Sequence, residues 1–383
     1  MVTLNSADSA LKSFYLDAIT ETLNTKINPF LAKVERTSNY VTGKEVRKTM
    51  RVGLNGGIAA GEETGDLPTA RETKYQQLVA PLKNLYGTIE ISDKAVRASA
   101  NNEGAFVNLV NEEMQSLIKS AQFQFGRMLF GDGTGKVGFV NDTEENWLIV
   151  EGVQNFAVGM YVSVDCEDSE LQDVAVVEVD YANERISLNT NAEISDALVG
   201  CEIYLSGMRE NDITGLAAIF NDGDLYGLSK RDSGMRSYVK TVDDEFDPMI
   251  VQQAIDHIEE NSGYKVNFII CSWGVRRAIQ SYCRDYNIPL KTYKTEEGFT
   301  AIDWMGIPLV VDKFCPKGTM YLLNTDSFKI CQLCDWQWLE AEDGKILKQV
   351  PGKPVYTATL VKYAELICEN PAAQGMLTRI VEH

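Results

Sequence analysis

The chain has 383 residues, 44% of them hydrophobic and 24% charged, which suits two or three folded domains rather than a disordered or collagen-like polymer. A net charge of −19 argues against direct recognition of nucleic acid, which needs a basic surface to meet phosphates. No stretch reaches the ~18 apolar residues of a membrane span and the N-terminus lacks a secretion-signal pattern, so neither a membrane nor an oxidising compartment is expected, and the eight cysteines are expected as free thiols.

In chain order, residues 9–33 read as an amphipathic helix broken at Pro29, with Leu11, Phe14, Tyr15, Ala18, Ile19 and Leu23 at helical spacing. Such a helix packs on its own core or on a neighbour. Val46, Lys48, Met50, Val52 and Leu54 then form one face of a strand. Glycines cluster at Gly53, Gly56, Gly57, Gly61 and Gly65, and the cluster ends at Asp66, Leu67 and Pro68. From Lys74 to Ser92 the chain reads extended again, with Leu85, Gly87, Ile89 and Ile91 alternating against Tyr86, Thr88 and Glu90. Together these segments predict a long hairpin with a glycine-rich tip. A hairpin alone is marginally stable in water, so this one needs a surface, either its own domain or a neighbouring subunit.

Asn101 or Asn102 caps the next helix, in which Phe106, Val110, Met114, Leu117, Ala121, Phe125 and Met128 recur every three or four residues. That is one apolar stripe over about seven turns, roughly 40 Å, and its expected role is core packing. The helix stops at residues 131–136, GDGTGK. A phosphate-binding loop needs four residues before its Gly-Lys pair and a Ser or Thr after it; here three intervene and Val137 follows. A flexible junction is predicted instead.

Between Val137 and Met208 lie 15 acidic residues and a single arginine, a net of −14, which leaves only −5 for the rest of the chain. So sharp a shift predicts a separate module inserted into a nearly neutral host. Five short runs, 147–153, 159–166, 173–181, 185–189 and 200–207, read as strands of a small barrel or sandwich. Asp165, Glu167, Asp168, Glu170 and Asp173 fail the EF-hand pattern and read as a solvated acidic face. Beyond residue 212 the pattern is mixed α/β. Asp247 and Pro248 open a helix to about Asn261, Val266–Cys271 is an apolar strand, and Gly274–Tyr286 is a second helix. Ile307–Val311 and Met320–Leu323 are buried-type strands, and Val355–Glu369 is one long strand, an edge or a spine.

Catalytic chemistry is sparse. Of two histidines, His383 is terminal and His257 sits in a polar helical stretch, where a surface position is expected. Cys331 and Cys334 have redox or zinc spacing, but no second pair accompanies them, and two buried thiols are expected. The acids of residues 243–247 precede a helix N-terminus, where they are favoured electrostatically. The chain therefore reads as no enzyme, with no cofactor and no metal site.

The order of parts, together with local phrasing, resembles the tailed-bacteriophage major capsid family with the Hong Kong 97 fold. GEETGDLP at 61–68 resembles that family's E-loop tip, and IEISDKAVRAS at 89–99 its return toward the spine helix. RMLFGDGTG at 127–135 resembles the end of the spine, and CENPAAQG at 368–375 the exit of the C-terminal strand. The resemblance implies an α+β chain. Residues 1–43 would be an N-terminal arm, 44–92 an E-loop hairpin and 93–136 a P-domain with its spine helix. An acidic β insertion at 137–208 would follow, then 209–354 as mostly A-domain with part of the P-domain, and 355–383 as the returning P-domain strand. It implies self-assembly into hexamers and pentamers of an icosahedral head that encloses double-stranded DNA without reading its sequence. Inter-subunit contacts would fall on the hairpin tip and on the arm at Leu11, Phe14 and Tyr15. Portal and separate scaffolding proteins, and decoration or head-completion proteins, are the implied partners, with assembly in the host bacterial cytoplasm. From its charge the acidic module is expected to face outward, with inward placement as the alternative. An encapsulin-like nanocompartment shell and a cytosolic α/β enzyme are the competing readings.

Overall fold

The computed structural model describes residues 28–383 except 54, 62–64, 66, 68, 95–102, 167–169, 191–193, 195, 232–234, 297 and 341–343. The predicted N-terminal helix therefore lies outside the described residues up to 27, with Leu11, Phe14 and Tyr15. Its end is seen as α1 (Pro29–Lys33), capped by Asn28, whose side chain accepts from the Phe30 amide at 2.8 Å. Phe30 is buried and meets Phe328 edge-on at 5.0 Å. β1 (Glu35–Thr37) then pairs in parallel with residues 329–331.

β2 (Val41–Thr42), β3 (Glu45–Val52) and β4 (Lys74–Pro81) form the hairpin sheet, with Glu45 opposite Pro81 and Val52 opposite Lys74. The extended run expected from 74 to 92 is two strands rather than one. Pro81 has no amide to give, so the ladder ends there, and the Leu82 amide turns back to the Lys44 carbonyl at 2.9 Å. β5 (Lys83–Ser92) continues into a different sheet, with Leu85, Ile89 and Ile91 buried as the alternation predicts. α2 (Glu103–Met128) crosses this sheet, about 39 Å long by its 26 residues. It runs so close that a Cβ on Gly87 would stand 2.8 Å from Leu117 Cδ1.

The insertion is a closed six-stranded barrel: β6 (Lys136–Glu144), β7 (Trp147–Glu151), β8 (Tyr161–Asp165), β9 (Glu170–Asp180), β10 (Arg185–Leu188) and β11 (Glu202–Leu205). Its hydrogen-bonded order is β10-β7-β6-β11-β8-β9, closing on itself. Sequence reasoning found five of the six. β6 escaped because a register shift between Val140 and Asp142 breaks its alternation and its second half is polar.

After the barrel come α3 (Leu216–Phe220), β12 (Tyr238–Thr241), α4 (Pro248–Ser262), β13 (Phe268–Cys271) and α5 (Trp273–Asp285). Asp247 caps α4, accepting from the Met249 amide at 2.9 Å, and α4 ends at Gly263 with φ +72°. β14 (Thr292–Lys294), β15 (Thr300–Trp304), β16 (Ile307–Val311) and β17 (Met320–Leu323) follow, then β18 (Phe328–Trp338), β19 (Lys348–Gln349), β20 (Val355–Cys368) and β21 (Gly375–Thr378). β21 returns to build a seven-stranded sheet in the order β12-β21-β17-β13-β16-β15-β14. α4 and α5 supply apolar residues to a core with this sheet.

β20 is the centre of the remaining sheet, with β18 on one side and β5 on the other. Of the two roles open to so long a strand, it is the spine and not the edge. Leu360, Ala364 and Leu366 are buried on one face, and Val361 and Ile367 on the other. One expectation about the cysteines is overturned. Cys166 and Cys201 are disulfide-bonded, with Cα atoms 5.1 Å apart, while the other six are free. They are neighbours across two strands that the sequence alone does not bring together.

Candidate functional site

The described residues that carry chemistry form no catalytic constellation. Among the described residues there is no group of three or more His, Cys, Asp or Glu that could hold a metal. His257 is exposed on α4, against the Tyr238 ring at 4.7 Å and near Asn261 at 2.8 Å. Cys331 is buried and Cys334 half-buried on β18. Candidate function therefore rests on surfaces and joints.

The hairpin tip is the first surface. Gly53 has φ +86°, a left-handed conformation that turns the chain out of β3 at little steric cost. Asn55 organises the turn, accepting from the Gly57 amide at 2.8 Å and donating to Thr73 Oγ1 at 3.0 Å. A Cβ on Gly56 would stand 3.0 Å from Arg71 Cδ, and one on Gly57 2.9 Å from Asn55 Oδ1. Gly61 and Gly65 lie further along the same exposed loop, while Asp66 and Pro68 are outside the described residues. Two large apolar side chains project from this loop into solvent, Ile58 at 90% exposure and Leu67 at 91%. Among the described residues nothing covers them. The sequence reading named the glycines; the exposed Ile58 and Leu67 carry the stronger signal.

The spine helix behaves as its stripe predicts where its side chains are described. Met114 and Phe125 are buried and Leu117 half-buried, whereas the side chains of Phe106 and Val110 are outside the described set. Phe125 meets Trp336 of β18 at 6.2 Å.

The joint between barrel and body is the second feature, and it corrects the expected flexible junction. Gly135 has φ +84° and lies so close to the returning chain that a Cβ would sit 2.3 Å from the Met208 carbonyl. The Glu210 amide donates to the Thr134 carbonyl at 2.7 Å, and Asp132 accepts from the Thr134 amide and hydroxyl. Leu216 N donates to the Leu129 carbonyl at 2.8 Å, and Gly215 packs where a Cβ would meet the Met128 carbonyl at 2.3 Å. Glycines are needed here for close backbone approach, and glycine-rich sequence alone does not distinguish that from freedom to move.

Buried charge reinforces the joint. Arg127, at the end of the spine, pairs with Asp212 at 2.7 Å, and both side chains are 2% exposed. Desolvation raises the Asp212 carboxyl, and the facing Arg127 opposes that rise. Glu365 of β20 is fully buried; its Oε1 accepts from the Thr214 and Leu366 amides at 2.7 and 3.0 Å. Burial pushes its carboxyl up to about 8 against these hydrogen bonds. Lys362, also on β20, points beneath α2 and donates to Gln332 and Asp335 at 2.8 and 2.6 Å. No motif marks these residues. A lysine and a glutamate within the largely apolar run from Leu360 to Cys368 are the trace that Lys362 and Glu365 leave.

A second seat holds the barrel's far side. Lys317 pairs with Glu184 of the β9–β10 turn, and the Lys313 ammonium lies 4.6 Å from the Phe123 ring centre and 5.4 Å from that of Tyr181. Phe123 of the spine helix packs against both the body core and the barrel core. The barrel is thus seated at its neck and at the loop of residues 312–317.

No family model matches the sequence, and no curated protein matches it. Solved structures are similar in shape. A subunit of the cyanophage A-1(L) capsid aligns over 97% of this chain and 95% of its own, with a TM-score of 0.53 and 12% identity. The capsid of a native GTA particle aligns over 94% and 91%, TM-score 0.47, with 10% identity. The SrpI encapsulin of Synechococcus elongatus PCC 7942 aligns over 93% and 90%, TM-score 0.45, with 10% identity. The likeness to the cyanophage subunit shows the fold, an α+β capsid fold of the Hong Kong 97 type carrying an inserted all-β domain.

Proposed function

We propose that this chain is a major capsid protein, a subunit that assembles with copies of itself into an icosahedral phage head around double-stranded DNA. One observation carries the reading beyond the fold. The hairpin holds its strands in register out to residue 52 and then exposes Ile58 and Leu67, apolar surface that no described residue buries and that a neighbouring molecule would cover. In a closed shell that molecule is the next copy of the chain, and many modest contacts per subunit add to collective stability.

In this reading residues 1–43 are the arm, 44–92 the E-loop, and 93–136 with 355–383 the P-domain. Residues 137–208 are the insertion and 209–354 mostly the A-domain. Gly53, Gly56, Gly57, Gly61, Gly65, Asp66 and Pro68 shape the tip, and Leu11, Phe14 and Tyr15 add the arm's contacts. Hexamers and pentamers form in the host cytoplasm with a separate scaffolding protein and a portal, and the finished subunit resides in the virion. The protein contributes no catalytic step. The acidic barrel faces outward, because a net of −14 turned inward would repel packaged phosphates.

Electron microscopy of the purified chain, alone and with a co-expressed scaffolding protein, tests the proposal. Closed shells of uniform size are expected. A discrete small oligomer under both conditions would overturn it.

A further inference from the structure

The barrel closes on itself through the pairing of β8 with β11, and that seam sets two acids opposite each other. Asp165, the last residue of β8, stands directly opposite Glu202, the first of β11. Like charges facing each other across a ladder destabilise it. Local partners offset the repulsion: Arg209 pairs with Asp165, Lys136 reaches Glu202 at 2.9 Å, and the Tyr204 hydroxyl donates to Glu202 at 2.5 Å. These contacts are partly exposed, and salt weakens such pairs.

One step past the acid pair the register sets Cys166 opposite Cys201. Their Cα separation of 5.1 Å lies inside the range a disulfide spans. The remaining cysteines differ in access. Cys271, Cys283, Cys315, Cys331 and Cys368 are buried, and burial raises each of these thiols, Cys331 to about 11. Cys334 is half-buried, and its neighbour in sequence, Cys331, lies three positions away on a strand, roughly 10 Å by strand rise and beyond disulfide reach. Cys166 is half-buried and Cys201 lies at 7% exposure next to it.

We propose that Cys166 and Cys201 form a selective redox staple, open while the subunit is in a reducing compartment and closed once it meets a low-molecular-weight disulfide, which locks the β8–β11 seam against its own acid pair. The Cys166 thiolate attacks one sulfur of the external disulfide, forming a mixed disulfide and expelling one thiolate. The Cys201 thiolate then attacks Cys166 Sγ, closing the protein disulfide and expelling the second. Both expelled thiolates take up the protons that the two cysteines gave to water, so the protein is oxidised by two electrons and one external disulfide is reduced to two thiols.

The proposal depends on the geometry of the barrel and stands apart from the shell assignment. Its test uses the full chain. Purified protein is equilibrated with dithiothreitol or with oxidised glutathione, and its peptides are then mapped by mass spectrometry. Amide exchange is measured on the same samples. Oxidised glutathione is expected to yield one cross-linked peptide, 166 to 201, and to slow exchange of the β8 and β11 amides by about tenfold or more, with α4 and β13 unchanged. Cys166→Ser and Cys201→Ser should each abolish the slowing. Should either serine variant misfold, the Cys166→Ala/Cys201→Val double variant should fold and remain indifferent to glutathione. No 166–201 cross-link, a cross-link at another pair, or a cross-link without slowed exchange would each overturn the staple. None of these outcomes bears on whether shells form.

Discussion

The inserted barrel and the body that carries it solve the burial problem in opposite ways. The barrel draws all six strands from one stretch of chain, closes its sheet so that no edge remains, and fills its interior with Val140, Leu148, Val150, Phe156, Val162 and their apolar neighbours. Among the described residues, the buried polar and charged ones all lie in the body: Arg127, Asp212, Lys230, Asp312, Lys362 and Glu365 are the charged members. The body also joins strands from distant stretches, as when β5 meets β20, and leaves the hairpin tip with uncovered apolar side chains. A module with a closed sheet sits on a framework whose hairpin tip exposes Ile58 and Leu67 among the described residues. In the proposed reading, the difference places the assembly contacts in the framework.

Removing residues 137–208 would break the comparison most severely. The chain enters and leaves the barrel side by side, with the Glu210 amide bonded to the Thr134 carbonyl, so the cut ends lie close together. The shortened chain is expected to remain soluble and to unfold cooperatively by circular dichroism; an unfolded product would mean that the barrel is part of the body's core. Asp212→Ala comes next. It strands Arg127 in a dry site and is expected to cost about 3–5 kcal/mol by urea denaturation, a loss that falls on the body.

Glu365→Gln probes the same joint through pH. The folded protein holds the Glu365 proton up to about pH 8, whereas an unfolded glutamate releases it near its ordinary value of 4.5. The folded state therefore binds more protons between these limits, and the wild-type chain loses stability as pH rises from 4.5 to 8. The Gln variant should lack that slope and be more stable than wild type at pH 8, on the order of 4 kcal/mol, with little difference at pH 4. Smallest of all is Lys317→Ala, which removes a partly exposed pair with Glu184 and should cost less than about 1 kcal/mol, confirming that the neck and not this contact carries the barrel.

Much of this architecture was legible in the sequence because it is written in local periodicity. The Phe106-to-Met128 stripe, the Asp247–Pro248 cap and the alternation from Leu85 to Ile91 all appear as elements of the expected type. What was not legible depends on contacts between distant residues. The break at Pro81 matters only because Glu45 is its ladder partner, the Gly135 turn only because Met208 returns beside it, and the disulfide only because β8 and β11 pair. The charge shift at 137 was a better guide to the insertion than any strand pattern, since composition survives where alternation is broken by a bulge.

The central claim is that the framework completes itself on its neighbours through the hairpin. Sedimentation velocity of the wild-type chain beside an Ile58→Ser/Leu67→Ser variant, each with and without a scaffolding protein, tests it most directly. Both side chains are about nine-tenths exposed, so the substitutions should change subunit stability by no more than about 0.5 kcal/mol. The account predicts megadalton particles for wild type and folded, small species for the variant. Equal yields of shells from both chains would contradict it.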